Sequence, residues 1–136
     1  MRFDTKIAVV LRADLPVWQK LNVTAFTVSG LAATDPATVG EPYRDASGQE
    51  YLPMFRQPVL VFAGDAADLR RAYERAMERD VRLAIFTEEL FVTGHDEANR
   101  AAVRAVASAE LNLVGFALRA DRKDVDKILK GLSLHS

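Results

Sequence analysis

The sequence predicts an α/β domain with helices on both faces of a sheet. Two observations carry this expectation. Short, solid apolar runs rich in β-branched residues recur along the chain, and capped amphipathic stretches lie between them. At 136 residues the chain is expected to form one domain, large enough to bury roughly two-thirds of its unfolded surface.

The first run, "IAVVL" (Ile7 to Leu11), is apolar without alternation, which predicts a strand covered on both faces. "PVLVFAG" (Pro58 to Gly64) has the same character, with Pro58 at the first position, where its missing N–H does least harm. "VRLAIFT" (Val81 to Thr87) and "LNLVGFAL" (Leu111 to Leu118) bring the expected strands to about four.

Helices are expected between the strands. Asp65 is placed to cap Ala66 to Arg79, where Leu69, Ala72, Tyr73, Ala76 and Met77 recur as one apolar stripe. Asp121 caps a shorter helix, Arg122 to Lys130, which carries Val125, Ile128 and Leu129 inward and has Gly131 at its end. A first helix is expected from about Gln19 to Ala33 despite Thr24, Thr27, Ser29 and Gly30. Between Thr34 and Gln57 the pattern is irregular. There the turn formers Asp45 to Gly48 separate arms carrying Tyr43 and Tyr51, which suggests a hairpin flap.

Composition narrows function. The formal charge of -1, from 18 basic and 19 acidic residues, gives no overall pull toward nucleic acid or anionic membrane. There is no cysteine, so disulfides, thiolate zinc sites and thiol nucleophiles are excluded. With only His95 and His135, no metal site is expected, and no cofactor is implied. The glycines are scattered rather than gathered in a phosphate-binding loop. The opening apolar run is far shorter than a secretory core or a spanning helix, so a cytoplasmic location is expected.

"TGHDEANRAA" (Thr93 to Ala102) gathers His95, Asp96, Asn99 and Arg100 at one helix entrance. Thr93 and Asp96 have the spacing of a capping box, and Asp96 and Arg100 that of an ion pair. Those roles need neither His95 nor Asn99, which makes the entrance a candidate site. "WQKLN" (Trp18 to Asn22) follows the first strand at its carboxyl end, where α/β sheets hold ligands. Lys20 suits an anion, Gln19 and Asn22 an amide or carboxylate, and Trp18 a stacking surface, although Trp18 also suits packing and Lys20 a solvated charge. Gln57, ahead of the second run, is a further candidate contact, with Arg56 at the surface. Glu88 and Glu89 follow the third run as potential bases or as solvated charges. The two helix entrances each follow a strand's carboxyl end and are expected to line one cleft.

Two stretches resemble type-2 peptidyl-tRNA hydrolases: "KIAVVLRADLPVWQKLNVTAF" at the start and "LVGFALRADRKDVDKILKGLSL" at the end. A closer resemblance, in "WQKLNVTAF", "YLPMFRQPVLVF" and "TGHDEANRAA", is to the bacterial domain-of-unknown-function family numbered two thousand. Together these imply a three-layer α/β/α, hydrolase-like fold with a mixed sheet, and a homodimer, with the apolar "YLPMF" a candidate contributor.

The hydrolases carry Lys-x-Ala-Ala-Gln-x-x-His in their first helix. Here that pattern falls on Asn22 to Ser29, with Asn22 for the Lys, Phe26 for the Gln and Ser29 for the His. Starting from Lys20 instead puts Thr24 and Thr27 at the last two positions. The Asp-Ala-Gly-x-Thr that follows their third strand is replaced by Thr87, Glu88, Glu89, Leu90 and Phe91. Peptidyl-tRNA hydrolysis is therefore not expected. Two function classes remain open. One is a hydrolase or transferase acting on a small ester or amide, with His95 as base, Asp96 or Glu88 as orienter, and Lys20 and Asn22 at the oxyanion. The other is a binding module that holds an unidentified small anionic or amide-bearing ligand in the same cleft without turning it over, with contacts from Trp18, Gln19, Asn22, Gln57, Thr93, Asn99 and Arg100.

Overall fold

A solid apolar run has to be covered on both faces, and β1 (Thr5–Arg12) is. Ile7, Ala8, Val9 and Val10 are fully buried. Ala8 and Val10 face one core and Val9 and Leu11 the other, as the two-residue period of a strand requires. A computed structural model describes residues 3–136 and contains α1 (Val17–Thr34), β2 (Tyr43–Arg44), β3 (Glu50–Tyr51), β4 (Val59–Gly64) and α2 (Ala66–Glu78). These are followed by β5 (Ala84–Thr87), α3 (Asp96–Arg104), β6 (Leu113–Asp121), α4 (Arg122–Ile128) and β7 (Ser133–Leu134).

The main sheet has five strands in the order β5-β6-β1-β4-β7. It is mixed: β1 and β4 run parallel, and the other neighbours are antiparallel. The fifth strand is one more than expected. Ser133 and Leu134 are an exposed pair with no pattern of their own, recruited by the free edge of β4 after Gly131 (φ 95) turns the chain. Val81 to Leu83, expected to extend β5, do not pair and instead line a groove.

Leu69, Ala72 and Ala76 of α2 and Val125 and Ile128 of α4 pack with Phe116 and Leu118 on one face. On the other face, Val23 of α1 packs with Val114, Ala117 and Phe86. The sheet therefore lies between helices. Val114 joins the α1 side because β6 bulges there: Phe86 pairs with Gly115 and Thr87 with Leu113, leaving one extra residue. Gly115 admits α1 closely, since a Cβ there would lie 2.6 Å from Val23 Cγ1.

The local expectations fare unevenly. Asp65 caps α2 through a reciprocal box, accepting from Asp68 N at 2.8 Å while Asp68 Oδ2 accepts from Asp65 N at 3.0 Å. Met77, placed on the buried stripe of that helix, is 42% exposed at the stripe's edge. The hairpin forms, with Tyr43 opposite Tyr51 and Gly48 at φ 84. No helix among the described residues is long and apolar enough to cross a membrane.

Candidate functional site

β1 and β4 end at the same edge of the sheet because they are parallel, and β5 ends there too because it opposes β6, which opposes β1. The chain leaving β1 enters α1, and the chain leaving β5 makes a tight turn (Glu88–Phe91) before α3. The two entrances accordingly face each other across a cleft of about 270 Å³. Asn22 and His95 line it together.

Trp18, Asn22 and Phe26 form the α1 wall at i, i+4 and i+8, a spacing that stacks side chains on one helix face. Opposite stand Phe86 and Phe91. Trp18 meets Phe91 edge-on at 6.0 Å between ring centroids, and Phe26 meets Phe86 edge-on at 5.8 Å. Phe86 and Phe91 are 5.0 Å apart, so the four rings make one continuous aromatic surface.

The α3 side supplies Thr93, His95, Asp96 and Asn99. Its cap is not the expected one. His95, with extended backbone, is the N-cap, and its Nδ1 accepts the N–H of Ala98 at 3.2 Å. α3 begins two residues later than a Thr93 box would need. The Thr93 hydroxyl turns back to the carbonyl of Leu90 (3.1 Å) and to Asn99 Oδ1, and Asp96 pairs with Arg100. An imidazole whose Nδ1 accepts a hydrogen bond carries its proton on Nε2 when neutral, so His95 presents a donor. Among the described residues the Asn22 carboxamide has no hydrogen-bond partner, and it is exposed.

Several expected members lie elsewhere. Lys20 is two residues from Asn22 and so points about 200° round the helix. Its Nζ meets His135 Nε2 at 3.0 Å, outside the cleft. Gln19, one residue from Trp18, likewise misses the lining. Gln57 precedes a strand parallel to β1 and so lies at the opposite edge, where its Nε2 donates to the Thr5 carbonyl at 3.0 Å. Arg100 holds Asp96 from outside the cleft. Glu88 accepts from Arg12 at 3.0 Å and Asn112 at 3.2 Å and braces the strand ends rather than orienting His95. The expected acid–base set of His95, Asp96 and Lys20 is thus not assembled.

Phe26, Phe86, Leu90 and Phe91 line the site and were absent from the sequence-based set. The i, i+4, i+8 spacing from Trp18 was the available signal for Phe26. A larger groove of about 600 Å³ lies at the opposite edge, between Asp35, Asp80, Arg119 and Asp124. It contains none of the residues selected from sequence. Among the described residues, no group of three or more His, Asp or Glu side chains is placed to hold a metal ion.

Fold and site together define a mixed-sheet α/β protein with an aromatic-walled cleft at one sheet edge. The chain belongs to the DUF2000 family, described as proteins of unknown function, whose model matches residues 5–136. It is similar to a solved structure, a protein of unknown function from Agrobacterium tumefaciens strain C58. The two share 52% identity over 99% of this chain and 100% of that one, with a TM-score of 0.97. A search of curated proteins returns no match.

Proposed function

We propose that this protein is a small-molecule-binding module whose ligand sits between α1 and the start of α3. The observation that carries this reading is the convergence of Asn22 and His95, from distant parts of the sequence, on a cavity with four aromatic rings in its lining. Such a combination, apolar walls with a few convergent polar groups, is the usual composition of a ligand pocket. Binding is favoured over the hydrolase or transferase reading because Nδ1 of His95 is engaged as a helix cap and Lys20 is held at His135. Among the described residues, neither a free base nor a cation for an oxyanion faces the cleft.

A thermal-shift screen of soluble metabolites tests the proposal. A ligand present at a hundred times its Kd stabilises the folded state by about 2.7 kcal/mol. At least one compound is expected to raise the Tm of the wild-type chain and to lose that effect in Trp18→Ala. A screen in which every shift survives Trp18→Ala would remove the cleft from consideration.

A further inference from the structure

We infer that the cleft takes an uncharged, planar nitrogen heterocycle of one or two rings with a lactam edge, the chemistry of a free oxopurine or oxopyrimidine base. This rests on the binding reading above and narrows it.

Size sets the first limit. The cavity of about 270 Å³ is below the range typical of drug-sized ligands and well above the roughly 150 Å³ that holds a benzene ring. One or two fused rings fit. The walls set the second. Trp18 and Phe26 remain 59% and 54% exposed although Phe91 and Phe86 pack against them at steep angles, so aromatic surface is left for a planar guest.

The polar groups define its edge. Asn22, without a partner among the described residues, offers a carbonyl acceptor beside an amide donor in one plane. The complement is a ring N–H adjacent to a C=O, and carboxamides read base edges in this bidentate way. His95 adds a single donor from Nε2, since its Nδ1 is engaged by Ala98. A second ring oxygen or an unprotonated ring nitrogen satisfies it.

Charge sets the last limit. Among the described residues no Lys or Arg lines the cleft, so a phosphate or carboxylate finds no counter-ion there. Asp96 is itself paired with Arg100, and the acceptor nitrogen of His95 is occupied, so an ammonium group finds few acceptors. The free base fits where its nucleotide does not.

The test is an NMR titration of the ¹⁵N-labelled full chain with hypoxanthine, uracil, inosine monophosphate, indole and benzyltrimethylammonium. Hypoxanthine or uracil is expected to shift the Trp18 indole N–H and the Asn22 side-chain amide saturably, at least tenfold more tightly than the other three probes. Asn22→Ala should weaken that binding at least tenfold. Asn22 is exposed on a helix, where alanine is the best helix former, so the variant folds. Tighter binding of the ammonium probe, the nucleotide or indole at the same signals overturns the ligand class and leaves the binding reading standing. So does silence from both bases when a compound from the thermal-shift screen moves those signals. If no screened compound moves them, both are overturned.

Discussion

The imidazole of His95 accepts the backbone N–H of Ala98 at 3.2 Å, so the helix that frames the cleft is capped by the side chain that faces the ligand space. The cap fixes the imidazole's position and tautomer together, and links the site to the stability of α3.

His95→Ala is expected to lower stability by about 1 kcal/mol, the usual loss for an N-cap, and the Tm by roughly 4 °C. His95→Ser restores a capping oxygen and should recover most of that loss without restoring the Nε2 donor. Thermal denaturation of the three proteins checks the order wild type, Ser, Ala.

At the flap, the Tyr51 hydroxyl donates to Asp45 Oδ2 at 2.8 Å, and the N–H groups of Gln49 and Ser47 donate to Oδ1. The Tyr51 bond first, and the backbone bonds after it, hold the Asp45 carboxyl below its ordinary range. A carboxyl whose pKa is lower folded than unfolded stabilises the turn above the unfolded value, and the gain disappears as pH falls through the folded value. The flap should therefore loosen only in acid below the usual carboxylate range. Tyr51→Phe should move that transition to higher pH, read from the Ser47 and Gln49 amide resonances.

Gly115→Ala tests the approach of α1 to the sheet. The new methyl would lie 2.6 Å from Val23 Cγ1 and 2.9 Å from the Val10 carbonyl oxygen, and the latter belongs to a central strand that has no room to move. Overpacking of this kind costs about 1–3 kcal/mol, and urea denaturation should show it as a lower midpoint with an unchanged slope.

Peptidyl-tRNA turnover is expected to be absent. In the hydrolases that the chain resembles, catalysis is associated with a first-helix Lys, yet here Asn22 stands in the cleft and Lys20 turns to His135. Loss of one group that stabilises a developing oxyanion costs roughly a hundred- to thousand-fold in rate. Release of labelled peptide by the purified protein, surviving Lys20→Ala and Asn22→Ala, would show that another group does the chemistry.

What was legible in the sequence follows from how local each determinant is. β1 and β4 were plain because a strand buried on both faces needs an unbroken apolar run, and α2 because its cap and stripe lie within its own residues. The meeting of the two helix entrances was legible because each follows the carboxyl end of an expected strand. Side-chain direction was not. Lys20 and Gln19 flank cleft residues in sequence but lie round the helix from them, and Gln57 sits at the far edge because β4 runs parallel to β1. The start of α3 slipped by two residues because Thr93 and His95 both can cap, and the Leu90 carbonyl, supplied by the preceding turn, claims the Thr93 hydroxyl. β7 owes its existence to a neighbour's open edge and has no signal of its own.

Trp18 is the chain's one tryptophan, and its indole stands in the cleft 6.0 Å from Phe91. The protein thus carries a single indole fluorophore at the place a guest would enter. Excitation at the red edge of its absorption isolates that ring from the tyrosines. A stacked guest should quench its emission, while water leaving the half-open indole should shift the spectrum to the blue. Occupancy can then be followed at micromolar concentration without a label, and because the chain has no cysteine, one introduced thiol can carry an energy-transfer acceptor to any chosen point on the surface.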